Sequence, residues 1–201
     1  EKSLRCHYEC GFAPGKIRLK RVVFADNVRA QQGTVSAYAI PLGNGESEIV
    51  INVDAIKTCN SDVNRRIMLH ELGHSVDIGL FNVISASGQW LGFNVAGFRY
   101  GKSNSQDRDA LDFSHPEPGF LTKYAMFTSS EDFAEVFSVL HYDDQINNPR
   151  SWMANDDSLK GKLGIVVRGL KKVKAVLLWF ALAHNLMRAV SLRRAAASAP
   201  A

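Results

Sequence analysis

Cysteine is scarce in this chain, which contains only three, and their odd number and spacing match no disulfide or metal-binding framework. We therefore expect Cys6, Cys10 and Cys59 to be structural or free thiols. No signal peptide is recognisable and the first residue is not methionine, so we expect a processed or truncated piece of a larger protein. The apolar run 173–192 is interrupted by polar residues, which argues against a membrane span.

Acidic residues are absent from the last 44 positions, 158–201, which carry nine Lys and Arg. The first 157 residues carry 15 basic and 20 acidic side chains, a formal charge of −5. We interpret 158–201 as a basic, helical, non-catalytic appendage. Three alternatives stay open for it: a terminal helix packed on the domain, a segment that contacts an anionic membrane surface or nucleic acid, or a segment joined by genomic rearrangement. Residues 179–187 slightly resemble the last helix of insertion-sequence transposases.

The stretch His70-Glu71-Leu72-Gly73-His74 is a complete HExxH sequence within an apolar segment of helical periodicity. On an α-helix, residues four apart are separated by about 40° of rotation and roughly 6 Å of rise, so both imidazoles can reach one metal ion. Glu71 is turned away from direct ligation but can hydrogen-bond a water in the open coordination position. The pattern predicts a zinc site with Glu71 as general base.

A pair of histidines on an apolar helix face can also be an ordinary hydrogen-bonded core pair. The predicted helix runs from 62 to 80, with Ser61 or Asp62 as its N-cap. Burying two histidines and a glutamate without a partner would cost several kcal/mol, and a divalent cation would satisfy all three. The context therefore favours the metal.

A catalytic zinc needs a third protein ligand, and the extended HExxHxxGxxH pattern is absent because Asp77 and Leu80 occupy its later positions. The best candidate is Glu131, at the start of a second predicted helix. Glu131 and Glu135 share a face, so one can bind metal while the other hydrogen-bonds a ligand imidazole. Alternatively, both are solvated carboxylates near a helix N-terminus. Asp77 falls on the metal-facing side, either as an orienting carboxylate or in a capping or solvated role.

These segments together resemble the catalytic domain of anthrax lethal factor and its relatives, including the secreted Pro-Pro endopeptidases, among the gluzincin metallopeptidases. Residues 70–77 look like the family's HExGHxxD helix, and residues 131–137 look like its E-x-F-A-E-x-F helix. In the family a tyrosine seven residues before the glutamate ligand stabilises the tetrahedral intermediate, and that position here is Tyr124. The resemblance covers roughly residues 20 to 145.

The resemblance implies His70, His74 and Glu131 as Zn²⁺ ligands, Glu71 as catalytic base, Tyr124 as oxyanion donor, and Glu135 in the outer shell. The implied function is a zinc endopeptidase acting on a peptide or protein substrate. Secretion is suggested by the resemblance alone. The alternative is a non-catalytic module of the same fold that binds peptide, nucleic acid or membrane through its basic tail.

The expected fold is α+β and zincin-like: a small mixed sheet, the HExxH helix, and a mainly helical C-terminal part, with the domain at 1–157. Residues 21–26, 34–40 and 48–53 are predicted strands, the last two forming a hairpin. The strand 49–53 is our candidate for pairing with an extended substrate. The roughly fifty residues between the metal helices are predicted to be mostly loop, whose aromatic residues either line a subsite or pack on the core; they are Trp90, Phe93, Phe98 and Phe113.

Overall fold

The computed structural model describes residues 4–9, 18–30, 33–104, 113–140 and 149–171. Within them the chain is α+β, with a small mixed sheet followed by a mostly helical region. The confirmed part of the predicted fold is this order of sheet and helices. The more specific zincin-like assignment stays a prediction.

The sheet has four strands in the order β1-β2-β6-β5. Strands β2 and β6 are parallel, and the other two neighbouring pairs are antiparallel. A separate two-stranded ladder joins β3 to β4. The strands are β1 (Leu4–Glu9), β2 (Arg18–Ala25), β3 (Arg29–Ala30), β4 (Gly33–Thr34), β5 (Ala37–Gly43) and β6 (Glu46–Asn52).

The predicted hairpin is β5 and β6, whose turn contains Gly43, Asn44 and Gly45, all with positive φ. The prediction that 49–53 pairs with substrate is wrong, because β6 lies between β2 and β5 and both its edges are occupied. Its burial on nearly every residue fits a central strand. The outer strand of the described sheet on this side is β5, which therefore carries the available edge.

The helices follow the sheet, and two 3₁₀ turns lie among them at Ile84–Ala86 and Tyr124–Met126. The N-cap of the HExxH helix is Asn60, whose side chain accepts a hydrogen bond from the Val63 N–H at 2.9 Å. The prediction of Ser61 or Asp62 as the cap was therefore one or two residues late. The helices are α1 (Val53–Thr58), α2 (Ser61–Gly79), α3 (Gly88–Leu91), α4 (Ser129–Val139), α5 (Pro149–Asn155) and α6 (Asp157–Lys171).

Helices α2 and α4 approach each other closely at Gly73, between the two motif histidines. A Cβ atom built there would lie 2.9 Å from the Cα of Ala134 and 3.2 Å from the Cβ of Phe137. Such distances are below van der Waals contact, so only glycine allows this spacing. The contact brings the start of α4 against the HExxH face of α2.

The main hydrophobic cluster joins the inner face of the sheet to α2, α4 and α6. Trp90 and Phe113 are buried in it, Phe93 packs against it, and Phe98 belongs to a smaller cluster with Phe120. None of these four aromatic residues lines the cleft described below. Their role is core packing, which was the second of the two predicted alternatives.

Helix α6 begins just before the predicted appendage and buries Leu159, Ile165 and Val166 in the main cluster. Residues 158–171 thus pack on the domain, which is the first of the three alternatives for this segment. The apolar run and the transposase-like stretch, at 172–201, lie outside the described residues. Among the described residues, no helix combines the length and apolar character that crossing a membrane requires.

Candidate metal centre

Helices α2 and α4 bring His70, His74 and Glu131 to one point. The Nε2 atom of His70 lies 2.9 Å from Oε2 of Glu131 and 3.2 Å from Nε2 of His74. The Nε2 atom of His74 lies 3.2 Å from the same Oε2 atom. Two imidazole nitrogens and one carboxylate oxygen therefore form a nearly equilateral triangle.

This triangle matches the donor set of a catalytic zinc. Tetrahedral coordination with bonds of about 2.0–2.1 Å places neighbouring ligand atoms roughly 3.3 Å apart, close to the spacings seen here. Two imidazoles and one carboxylate leave a fourth position for water or substrate. The three residues can thus hold a metal ion, and the metal part of the predicted cofactor is confirmed to this extent.

Outer partners fix the orientation of both imidazoles. The Nδ1–H of His70 donates to Oε1 of Glu135 at 2.7 Å, and this carboxylate also forms an ion pair with the buried Arg66. The Nδ1 atom of His74 lies 2.9 Å from the hydroxyl of Ser130. These contacts at Nδ1 direct both Nε2 atoms towards the common point, where a bound metal ion would take the place of a proton on Nε2.

The charges of the cluster favour a cation at its centre. Burial would lower the pKa of His70, but its hydrogen bonds with Glu131 and Glu135 and their charges raise that pKa to about 10. Burial would raise the pKa of Glu131, yet the two imidazoles hold it well below its usual range. Burial also opposes ionisation of Glu135, whose pKa is held at about 2 by Arg66 and His70. Both carboxylates are therefore anionic and stabilise positive charge between them.

The cluster opens into a cleft of about 640 Å³, which Glu71 and Tyr124 also line. Glu71 adjoins His70 on α2, and the Tyr124 ring centroid lies 5.8 Å from that of His70. The 3₁₀ turn Tyr124–Met126 precedes α4 directly, so one short segment supplies both the tyrosine and Glu131. The proposed base and the proposed oxyanion donor thus share the cleft with the ligand triangle.

Asp77 is turned towards the loop that follows α2. Its carboxylate accepts hydrogen bonds from the hydroxyl of Ser85 at 2.5 Å and from its N–H at 3.2 Å. Its side chain is buried, and no described hydrogen bond joins it to a ligand imidazole. The group that orients His74 is instead Ser130.

Arg66 and Ser130 were not identified from the sequence. Arg66 precedes His70 by four residues and so lies on the same helix face, and its guanidinium stacks 4.0 Å from the Phe113 ring centroid. An arginine one turn before the first motif histidine, on the same helix face, was the available signal. Ser130 carried no signal of its own, because serine is common in the first turn of any helix.

Comparisons with protein-family models, with curated proteins and with solved structures found no match to this chain. The likeness to gluzincins therefore depends on the two motifs and on the geometry of the site.

Proposed function

We propose that this protein is a zinc-dependent endopeptidase of the gluzincin type. The observation that carries the proposal is the ligand triangle of His70, His74 and Glu131, with Glu71 beside it in an open cleft. A purely structural metal site has no need of a glutamate beside its open position. The carboxylate therefore favours an enzyme over a binding module of the same fold.

Each residue of the site has its own role in the proposed peptide hydrolysis. Bound Zn²⁺ would be held by the three ligands and would supply Lewis-acid chemistry, acidifying a water and polarising a carbonyl oxygen. Glu71 accepts a proton as the water oxygen bonds to the carbonyl carbon, and returns it to the amine nitrogen as the C–N bond breaks. The Tyr124 hydroxyl donates a hydrogen bond to the developing oxyanion, a contribution worth a few kcal/mol of barrier.

The cleft also provides a place for an extended peptide. Strand β5 lines it with Ala37, Tyr38, Ala39 and Pro41, and β5 is the outer strand of the described sheet on this side. A substrate backbone can pair with such an edge while its side chains occupy pockets on alternate sides. This reassigns the proposed substrate strand from β6 to β5.

The test is cleavage of a diverse peptide mixture, read by mass spectrometry, with Zn²⁺-loaded wild type and Glu71→Gln. Loss of a general base costs about 10²–10⁴-fold in rate, so we expect the variant to bind Zn²⁺ as wild type does but to lose cleavage by at least this factor. Glu46→Gln is the matched control, because Glu46 pairs with Lys20 at the surface, 38% exposed. Undiminished cleavage by Glu71→Gln would refute the assignment.

A further inference from the structure

The charged side chains that line the cleft all belong to the metal centre. They are Arg66, Glu71, Glu131, Glu135 and the two histidines. Beyond this group the lining is apolar or uncharged, including Val35, Ala37, Ala39, Ile67, Ile78 and Val83. No charge among the described lining residues is therefore placed to recognise a charged substrate side chain away from the metal.

The apolar lining on α2 lies on both sides of the histidines. Ile67 precedes His70 by three residues, and Ile78 follows His74 by four, so all share one helix face. From Ile67 to Ile78 the helix rises by about 16 Å, the length of roughly five residues of extended peptide. Apolar contacts are thus available on either side of the reacting bond.

Val83 extends this lining on the His74 side, and its backbone is strained. Its φ of 59° and ψ of 51° lie in the left-handed region, where a β-branched residue is a rare outlier. Asn82 before it also has positive φ. Val83 is 44% exposed, so burial in the core does not offset the strain.

Hydrogen bonds hold the strained turn against α2, the helix that carries His70 and His74. The Val83 N–H donates to the carbonyl of Asp77 at 2.8 Å, and the Asp77 carboxylate holds Ser85 on the far side of Val83. Asp77 and Ser85 are each 1% exposed, so water does not compete for these hydrogen bonds. Asp77 thereby fixes the position of Val83 relative to His74, one turn away on the same helix. Strained residues held by their surroundings occur mainly at ligand-contacting sites.

We propose that Val83, with Ile78, forms a specificity subsite that accepts an uncharged aliphatic side chain of the peptide substrate. The inference rests on the proposed function, since it concerns the peptide that this cleft binds. Asp77 is a positioning residue for this subsite. Val83 is its specificity-determining residue.

The backbone conformation of Val83 allows its side chain to be changed without altering the path of the turn. Glycine adopts this conformation without strain, so Val83→Gly removes the isopropyl group while the turn keeps its path. Val83→Asp introduces a charge with a residue type that also tolerates this region. Val95→Gly is the matched control, because Val95 is 38% exposed and does not line the cleft. Thermal unfolding of each variant checks that the fold is retained.

The first readout is equilibrium binding by calorimetry, using tripeptide hydroxamates with Gly, Leu or Lys at each position and Zn²⁺-loaded protein carrying Glu71→Gln. We expect one position to prefer Leu over Gly by about tenfold, the order of an apolar contact in a hydrophobic pocket. Val83→Gly should abolish that preference, Val83→Asp should replace it with a preference for Lys, and Val95→Gly should leave it unchanged. An identical Leu preference in Val83→Gly, or none in the parent protein, would overturn the proposal.

The second readout is the cleavage profile of the same substitutions in the otherwise wild-type chain. A profile that changes at one substrate position in Val83→Gly supports the subsite. If cleavage depends on Glu71 but its profile is the same in Val83→Gly and wild type, the proposed subsite is refuted and the proposed peptidase activity is retained. If hydroxamate selectivity depends on Val83 but no cleavage is detected, the proposed peptidase activity is refuted and the proposed subsite is retained.

Discussion

Helix α4 carries two adjacent carboxylates, Glu131 and Asp132, that are neutralised in different ways. Glu131 faces two imidazoles at the cleft, whereas Asp132 pairs with the ammonium group of Lys162 at 2.7 Å. Asp132 also accepts hydrogen bonds from the Trp90 indole at 3.0 Å and from the Tyr100 hydroxyl at 2.7 Å. The first cluster lacks a permanent cation of its own at the ligand triangle, and the second has one supplied by α6.

This difference separates a cluster that can hold a metal ion from a pair that holds the fold together. Lys162 is fully buried, also donates to the carbonyl of Gly119 at 2.7 Å, and lies 4.1 Å from the Phe120 ring centroid. Burial raises the pKa of Asp132 and lowers that of Lys162, and the charge of each partner opposes this effect on the other. The Asp132–Lys162 pair is buried away from solvent, whereas the cluster of His70, His74 and Glu131 opens into the cleft.

The largest expected effect comes from breaking the closed pair. Lys162→Met leaves Asp132 as an uncompensated buried charge, which costs about 3–5 kcal/mol of unfolding free energy. Urea unfolding followed by circular dichroism measures the loss. Adding Asp132→Asn to the same chain removes the orphaned charge while keeping an acceptor for Trp90 and Tyr100. The double variant should therefore recover more than half of the stability, and a double variant no more stable than Lys162→Met would contradict this account.

A smaller effect is expected from weakening the open cluster. Glu135→Gln keeps an acceptor for His70 but removes the charge, and loss of such outer-shell groups typically weakens metal affinity by about 10–100-fold. Competition against a chromogenic chelator measures the Zn²⁺ dissociation constant directly. The matched control is Glu117→Gln, which alters only a surface pair with Lys102. Equal dissociation constants for the two variants would remove Glu135 from the metal site.

The smallest effect concerns Asp156, which caps α6 less than two turns of helix before Lys162 and so supports the closed pair. Its carboxylate accepts from the N–H groups of Ser158 and Leu159 at 2.8 and 3.0 Å, as well as from Gly119 and His115. Asp156→Asn keeps a capping oxygen but removes the negative charge at the helix N-terminus, which should cost about 0.3–1 kcal/mol of unfolding free energy at neutral pH.

The effect of Asp156→Asn should depend on pH. Burial would raise the pKa of Asp156, but the hydrogen bonds from His115 and the backbone lower it below its usual range. A group with a depressed folded-state pKa stabilises the fold above its unfolded-state pKa, about 3.9, and loses that contribution as the pH falls through the folded-state value. The stability difference between wild type and variant should therefore shrink below about pH 4. A difference that stays constant from pH 7 to pH 3 would argue against an ionised cap.

The sequence was informative wherever the relevant contacts are local. The HExxH spacing, the extent of α2 and the β5–β6 hairpin depend on residues within a few positions of one another, and the structure agrees with them closely. The pairing of Glu131 with the histidines is a distant contact, yet the motif resemblance indicated it. The α+β order followed from the same local patterns.

What the sequence did not indicate depends on three-dimensional neighbours. The order of strands cannot be read from the strands themselves, which is why β6 was mistaken for a substrate-binding edge. Lys162 looked like one more charge on a basic tail because its partner Asp132 lies thirty residues earlier. The left-handed turn at Val83 was hidden because valine is among the residues least expected there.

The close approach at Gly73 has a consequence for which ion this site accepts. The glycine lies between the two histidine ligands on α2, and it contacts α4 one turn of helix from Glu131. The separation of the two helix backbones that carry the nitrogen and oxygen donors is thus set by the close packing at Gly73. Zn²⁺ takes its donors at about 2.0–2.2 Å, whereas Ca²⁺ requires 2.3–2.6 Å and more oxygen atoms. We therefore expect the site to favour small ions such as Zn²⁺ over larger ones, and the missing methyl group at position 73 to be a condition for that preference.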